Sequence, residues 1–179
     1  MSSRAHADPV LERRRLAALA HIRQLGDPVL RTPAEPVTAF DEDLRAQAER
    51  MVALMHDARG VGLAAPQVGQ LTRLIVVRPF EEEPPRALCN PRIVWRSEDE
   101  ESAVEGCLSI GEISVEVPRA VAIRVEAQDV EGGPLEIEAE GFEARVLQHE
   151  IDHLDGVLIL DRTTPEQRRE ALRTLRGAG

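Results

Sequence analysis

Two segments of the sequence carry apolar residues at the three- and four-residue spacing of an amphipathic helix. The first covers about 42–58, where Asp41 can cap the helix and Arg59-Gly60 ends it. The second begins after Gly141 and ends at Asp155-Gly156, a pair typical of a helix C-terminus. Its apolar positions are Phe142, Val146, Leu147, Ile151 and Leu154. We predict that this second helix is buried.

Strand-like runs separate the two helices, and a Gly-rich turn, DVEGG, precedes the last of them. These runs are 71–77, 88–95, 113–128 and 134–139. A final helix is predicted to open at Pro165 with Thr164 as its cap. Because the strands come first and the long helix follows, we expect an α+β fold. Mixed or antiparallel β-sheets would pack around the buried helix, with further helices at both termini.

The composition narrows the possible chemistry. All 22 basic residues are Arg, against 32 acidic residues, and Tyr is absent. Schiff-base catalysis, phosphate binding by a P-loop Lys and a Tyr acid are therefore excluded. The formal net charge of −10 argues against binding DNA or RNA over the whole surface.

The chain is predicted to form one domain over 21–179, preceded by an Arg-rich extension over 1–20. The pattern leaves open whether this extension is helical or disordered. Its apolar stretch is too short for a secretory signal, and no segment is apolar enough to span a membrane. With only two cysteines, Cys89 and Cys107, a disulfide framework is not expected, and we predict a cytoplasmic location.

The buried helix contains the sequence His149-Glu150-Ile151-Asp152-His153. Four residues apart on a helix, the two His side chains differ by about 40° around the axis and about 6 Å along it, so both can bind one metal ion. Glu150 lies beside them, where its carboxylate can take a proton from water at the metal. The alternative is a pair of core histidines held by hydrogen bonds, with Glu150 solvated.

A catalytic metal site needs a third protein ligand. The remaining histidines are His6 and His21 in or beside the extension and His56 late on the first helix. Cys107 is better placed, because it lies in a tight Glu-Gly-Cys-Leu-Ser segment and its thiolate is a strong ligand. The alternative for Cys107 is an inert buried thiol.

Three short motifs stand out by their order and separation. They are GVGLAAPQ (60–67), EGCLS (105–109) and QHEIDH (148–153). Together they resemble the signature motifs of the peptide deformylase family, and the similarity extends over most of the chain, from about Ile22 to VLILDR at 157–162. It includes GDPVLR at 26–31 and the pair Asn90-Pro91. The resemblance implies a metallohydrolase that removes the N-formyl group from the formyl-methionine of nascent polypeptides.

The resemblance also implies a role for each motif. One divalent metal ion would be held by Cys107, His149 and His153. Glu150 would act as general base and then protonate the leaving amine, while we expect Asp152 to orient a neighbouring group. Gln67 and the backbone N–H of Leu108 would donate to the oxyanion; the alternative for Gln67 is a cap on loop backbone. Fe(II) is the expected metal, although zinc, nickel or cobalt can occupy such sites in purified protein.

The same resemblance implies how a formyl-Met peptide would bind. It would lie extended between Val61-Gly62 and Gly106, where glycine lets a backbone approach closely. The residues around the methionine side chain would be Val61, Phe142, Val146 and His149, with Arg145 at the rim. The alternatives are glycines needed only for a turn and, for Phe142 and Val146, ordinary core positions.

The sequence departs from the family pattern in the second motif. Gly111 stands where many members have Pro, and Ser114 or Val115 stands where an Arg commonly contacts the substrate backbone. We expect a looser loop and weaker substrate binding, with the reaction itself unchanged.

The last helix carries a basic stripe of Arg169, Arg173 and Arg176. Such a run is usually a solvated face. The alternative is a contact with ribosomal RNA near the emerging chain, where the substrate would arise.

Two other functions are compatible with parts of the pattern. A zinc endopeptidase also uses His-Glu-x-x-His, although the thiol ligand and the lack of a third downstream His or Glu disfavour it. A deformylase-like binding protein would keep a structural metal without turnover. The complete set of Gln67, Glu150 and three ligands argues against such decay.

Overall fold

The structure is a computed structural model that describes residues 8–177. Its helices are α1 (Pro9–Leu19), α2 (Glu42–Asp57), α3 (Gly141–Leu154), α4 (Ile159–Arg162) and α5 (Pro165–Gly177). Its strands are β1 (Gly62–Ala64), β2 (Leu74–Val77), β3 (Arg86–Arg96), β4 (Glu100–Gly106), β5 (Ser114–Ala120), β6 (Ala122–Gln128) and β7 (Pro134–Glu140). Short 3-10 turns cover Pro28–Arg31 and Ala65–Val68. The α+β class expected from the pattern is confirmed.

The strands form two antiparallel sheets. Five strands lie in the order β1-β2-β3-β6-β7, whereas β4 pairs with β5 in a separate sheet. The prediction of one strand-like segment over 113–128 is wrong, because this segment contains two strands, β5 and β6, that belong to different sheets. Val121 lies between them, donating its N–H to the carbonyl of Asp99 and accepting from the N–H of Gly141. Both its backbone groups are bonded outside the two ladders, so the chain changes sheet here.

Strand β4 is absent from the sequence-based prediction. Its sequence, EESAVEG, contains a single large apolar residue, Val104, and that side chain is exposed. The buried side chain of β4 is instead Glu105, which forms an ion pair with Arg119 on β5. A strand whose inward-facing side chain is charged lacks the apolar alternation by which strands are recognised.

Helix α3 packs one face into the main hydrophobic core. Leu147, Ile151 and Leu154 lie there with strand residues such as Val77 and Val125. This packing fixes the helix against the five-stranded sheet. Since successive residues of a helix are offset by about 100°, the other face is held in a defined direction, towards the loop that follows β4.

The predicted helix ends are confirmed by their caps. Asp41 Oδ1 accepts from the N–H of Leu44 at 3.0 Å, and Thr164 Oγ1 accepts from the N–H of Gln167 at 3.3 Å. Gly156, just beyond α3, has a φ of 72°, a left-handed conformation that favours glycine.

The N-terminal extension contains helix α1, which resolves the alternative left open by the sequence for residues 9–19. Ala18 of α1 is buried with Met51 and Met55 of α2. The first seven residues of the predicted extension lie outside the described residues. Within 8–177, none of the helices combines the length and the apolar character needed to cross a bilayer.

Candidate active site

Three side chains from two elements converge on one point. Cys107 comes from the loop after β4, and His149 and His153 lie one turn apart on α3. The Sγ of Cys107 is 3.4 Å from Nε2 of His153, which is 3.2 Å from Nε2 of His149. All three candidate ligand atoms lie within 4.8 Å of one another.

These distances fit a tetrahedral metal site. Metal–nitrogen bonds of about 2.05 Å and a metal–sulfur bond of about 2.3 Å place two ligand nitrogens about 3.3 Å apart, and a sulfur and a nitrogen about 3.6 Å apart. The observed separations of 3.2 Å and 3.4 Å are close to these values. The donor set of one thiolate and two imidazoles suits a divalent transition metal. The three side chains therefore fit the ion that the motif implies.

The orientation of His149 is set by Glu105. Nδ1 of His149 lies 3.0 Å from Oε2 of Glu105, which leaves Nε2 of the same ring towards Cys107 and His153. A carboxylate in this position holds the proton on Nδ1 and frees Nε2 as a ligand. Burial acts to raise the pKa of Glu105, but hydrogen bonds from His149 and Arg119 lower that pKa to about 2.

Glu105 belongs to a buried ion network centred on Arg119. The Arg119 guanidinium donates to both carboxylate oxygens of Glu105, at 2.9 and 3.0 Å, and to Oδ2 of Asp152 at 2.6 Å. Arg145 also donates to Glu105, and Arg162 donates to Asp152. The neighbour expected for Asp152 is therefore a pair of arginines, and the network joins β4, β5 and α3.

Glu150 is buried beside the three candidate ligands, with 4% of its surface exposed. Its Oε2 has no hydrogen-bond partner among the described residues. Burial raises the pKa of Glu150 to about 7, so the carboxyl group can gain and lose a proton near neutrality. The alternative of a solvated Glu150 is excluded by this burial.

Gly62 makes room for Glu150. A Cβ at position 62 would lie 2.4 Å from Oε1 of Glu150 and 2.7 Å from its Cγ. The glycine expected for substrate approach or for a turn is thus needed, in addition, to accommodate the carboxylate.

The side chain of Gln67 performs two tasks. Its Oε1 accepts from the N–H of Ala64 at 2.9 Å, so the predicted capping alternative is present. Its Nε2 donates to Oγ of Ser109 at 3.1 Å and lies 3.7 Å from Sγ of Cys107. The cap therefore fixes the amide with its N–H groups towards the candidate metal ligands.

A cleft with a volume of about 680 Å³ opens in front of these groups. All seven residues expected to contact the substrate line it, together with Leu108. Those seven are Val61, Gly62, Gly106, Phe142, Arg145, Val146 and His149. Phe142 is half exposed and is not a core residue, whereas Val146 is both buried in the core and part of the cleft wall. Gly111 borders the cleft.

The other candidate ligands lie elsewhere. The side chain of His56 is 70% exposed, and His21 is exposed. His6 lies outside the described residues. Cys89 is fully buried in β3, where burial raises the pKa of its thiol to about 11. A thiol held protonated in this way is a poor ligand.

Two functional neighbours, Glu105 and Arg119, were missed by the sequence-based interpretation. Glu105 could have been found, since it stands two residues before Cys107 in the second motif. Arg119 could have been found from the two-residue alternation of a strand, because it shares the inward face of β5 with Val115 and Val117.

Comparison with known proteins agrees with this geometry. A family model described as polypeptide deformylase matches residues 19–169. A peptide deformylase of Thermotoga neapolitana is 50% identical over 147 residues, which cover 82% of this chain and 88% of that protein.

Solved structures of similar proteins have the same fold. The crystal structure of a peptide deformylase from Thermotoga maritima is 51% identical with a TM-score of 0.78, covering 80% of this chain and 97% of that one. A peptide deformylase from Synechococcus elongatus in complex with actinonin is 42% identical with a TM-score of 0.82, covering 86% of this chain and 85% of that one. The chain belongs to the polypeptide deformylase family.

Proposed function

We propose that the chain hydrolyses the formyl group from the N-terminal formyl-methionine of nascent polypeptides. The observation that carries this proposal is the convergence of Cys107, His149 and His153 beside the buried carboxylate of Glu150, in one open cleft. Such a set of groups suits hydrolysis of an amide.

The proposed metal ligands are Cys107, His149 and His153, and the proposed ion is Fe(II). The ion would polarise the formyl carbonyl and lower the pKa of a bound water molecule. Glu105, through Nδ1 of His149, keeps the imidazole in the tautomer that binds metal. Zinc, nickel or cobalt would occupy the same three side chains in protein purified in air.

Glu150 is proposed to move the proton in both steps. Its carboxylate would first accept a proton from the attacking water and then donate it to the leaving amine. Two observations support this role: the burial of the side chain, and the oxygen Oε2 without a partner among the described residues. Gly62, which has no side chain, leaves room for the carboxylate at the cleft wall.

Gln67 and Leu108 are proposed to stabilise the oxyanion. The amide of Gln67 is fixed by its bond from Ala64, so its N–H groups need little reorganisation when charge develops on the formyl oxygen. The backbone N–H of Leu108, next to Cys107, would be the second donor. Both residues line the cleft.

The peptide is proposed to bind in an extended conformation along the edge of β1. This strand is at the edge of the five-stranded sheet, and its first residue, Gly62, lines the cleft. Gly106, at the end of β4, lies across the cleft. The methionine side chain would contact Val61, Phe142 and Val146.

The proposal includes a cytoplasmic location, since nascent formylated chains emerge there. A ribosome contact through α5 is a further hypothesis. It is weakened by two ion pairs on the helix, Arg169 with Glu166 and Arg173 with Glu170, which reduce the net charge of the basic stripe. Charge reversal of Arg173 and Arg176 would abolish co-sedimentation with ribosomes if the hypothesis is right, and would leave it unchanged if the stripe is only solvated.

The decisive experiment is formate release from formyl-Met-Ala by protein loaded with Fe(II) under anaerobic conditions. We expect rapid release of one formate per molecule of formyl-Met-Ala consumed. Absence of formate at every metal loading would support a binding protein instead, and internal cleavage of an unformylated peptide would support an endopeptidase.

A further inference from the structure

Helix α1 lies almost entirely before residue 19, where the match to the family model begins. It is attached to the domain through Ala18, which is 4% exposed and packs with Met51 and Met55 of α2. The helix also presents apolar side chains to solvent. These are Val10, Leu11 and Leu16.

Leu16 is the exposed apolar residue of α1 that lines the active-site cleft. This residue is 57% exposed. Three other exposed large apolar residues border the same cleft: Val61, Val104 and Phe142. Half of the eight exposed large apolar residues among those the structure describes are therefore gathered around one opening. A concentration of this kind marks a binding surface.

The cleft is one continuous cavity from the candidate metal ligands to α1. Its lining includes Glu150 and His149 at one end and Leu16 and Leu19 on α1. A volume of about 680 Å³ is in the range of sites that hold a whole ligand of about 300–1,000 Å³. An extended peptide advances about 3.3–3.6 Å per residue, so the residues after the methionine extend away from the metal centre, where the walls of this cavity are available to them.

We infer that α1 forms a subsite for the substrate residues that follow formyl-methionine, with Leu16 as the specificity-determining side chain. The inference rests on the proposed function. The occupant is the continuing nascent peptide, because the cavity that reaches Leu16 begins at the groups proposed to act on its formyl end. An apolar side chain at the third or fourth substrate position would cover Leu16 and remove its apolar surface from water.

The test compares formyl-Met-Ala with two longer substrates, formyl-Met-Ala-Leu-Leu and formyl-Met-Ala-Ser-Ser. For each, kcat/KM is measured with the full-length, Fe(II)-loaded protein and its Leu16→Asn variant. The matched control is Leu11→Asn, the same substitution at a similarly exposed position of α1 outside the cleft lining. Thermal unfolding of both variants reports any damage to the helix.

We compare kcat/KM for the Leu-Leu substrate with kcat/KM for formyl-Met-Ala as a ratio. Leu16→Asn is expected to lower this ratio by about three- to tenfold, because part of the apolar surface of a leucine would no longer be buried by the substrate. The corresponding ratio for the Ser-Ser substrate should change less than twofold, by the same argument. Leu11→Asn should leave both ratios at the parent values.

Unchanged ratios in Leu16→Asn would overturn the inference, including the case in which kcat/KM falls equally for the dipeptide and the Leu-Leu substrate. A change in sedimentation mass without a change in the ratios would assign Leu16 to a contact with a second copy of the chain instead. Failure of the parent protein to release formate from formyl-Met-Ala would reject the proposed function, and the subsite with it.

Discussion

The carboxylate of Glu150 lies against the position that a side chain at Gly62 would occupy. A Cβ at 62 would lie 2.4 Å from Oε1 of Glu150, and the other near atoms also belong to that side chain. Strand β1 is fully buried, so its backbone has little room to retreat. A methyl group at this position must therefore displace the carboxylate.

Gly62→Ala is expected to lower kcat by about a hundredfold, as a displacement of about 1 Å in a catalytic group commonly does. Metal content, measured by elemental analysis, should be unchanged. Gly177→Ala is the control, because among the described residues no atom outside its immediate neighbours and its own helix backbone lies within 4 Å of the added Cβ. Activity of Gly62→Ala equal to that of the control would show that Glu150 tolerates the shift.

Glu150→Gln keeps the shape of the side chain and removes its proton acceptor. We expect kcat to fall by at least about 10²–10⁴-fold, with one metal ion still bound per chain. Glu143→Gln is a suitable control on the same helix, since Glu143 pairs with Arg86 outside the cleft lining. Turnover within tenfold of the parent would exclude Glu150 as the general base.

The two cysteines should respond differently to substitution. Cys107→Ser is expected to lose most of its metal, because the hydroxyl group is a much weaker ligand than a thiolate. Cys89→Ala removes a side chain that is fully buried in β3 and should cost stability while retaining metal. Metal stoichiometry after dialysis distinguishes the two, and full retention in Cys107→Ser would point to another ligand.

At the scale of elements, the ion network around Arg119 connects strands to the helix of the site. Glu105 on β4, Arg119 on β5 and Asp152 on α3 are held by hydrogen bonds of 2.6–3.0 Å. A buried charge that loses its partner strongly lowers the stability of the folded state. The three elements are therefore held in register by charge as well as by apolar packing.

The low pKa of Glu105 predicts how acid acts on this network. Its pKa is about 2 in the folded state against 4.5 for the free group, so its stabilising contribution is present above pH 4.5 and is lost as the pH falls towards 2. A shift of this size corresponds to a contribution on the order of 3 kcal/mol. We expect the difference in free energy of unfolding between the parent and Glu105→Gln to narrow between pH 5 and pH 3. Urea denaturation of the metal-free proteins measures it, and a difference that stays constant with pH would contradict the assignment.

The elements predicted from sequence are those with a regular apolar period and clear caps. Helices α2 and α3 are of this kind, and their ends agree with Asp41 and Gly156. Strand β4 could not be predicted, because its buried side chain is a Glu whose partner is 14 residues away. The break at Val121 was missed for a similar reason: both its hydrogen bonds are made to distant residues, Asp99 and Gly141. Local patterns report burial of apolar groups, and they do not report long-range polar pairing.

The same distinction holds for the site. His149, His153 and Glu150 were predictable from helix geometry, whereas Cys107 was predicted from its tight segment together with the resemblance to the family. The contribution of Glu105 to His149, and of α1 to the cleft, depends on tertiary contacts that no single segment contains.

On the scale of the whole molecule, the candidate metal centre joins the two sheets. Cys107 follows β4 in the small sheet, and His153 lies on α3, which packs against the large one. The two residues are 46 positions apart in sequence. A bound ion would close this stretch of chain into a loop.

Because the three ligands come together only in the folded chain, the binding free energy of the ion adds to the free energy of unfolding. At a free metal concentration about a thousand times the Kd, this contribution is about 4 kcal/mol. We expect removal of the metal to lower the Tm by about 10 °C. Differential scanning calorimetry of the loaded and chelated proteins measures the change, with Cys107→Ser as a variant that should not respond to chelator. An identical Tm for the loaded and chelated parent would show that the site adds nothing to stability.

The change of sheet at Val121 separates β4 and β5 from the large sheet, so these two strands depend most on a bound metal ion for their attachment. Strands β4 and β5 pair only with each other, so without the ion their hairpin is held to the rest by the Arg119 network and the packing beneath it. Loss of a bound metal ion would therefore remove one of the attachments of this hairpin to helix α3. The stability of the protein, and not only its activity, would then depend on the supply of that metal.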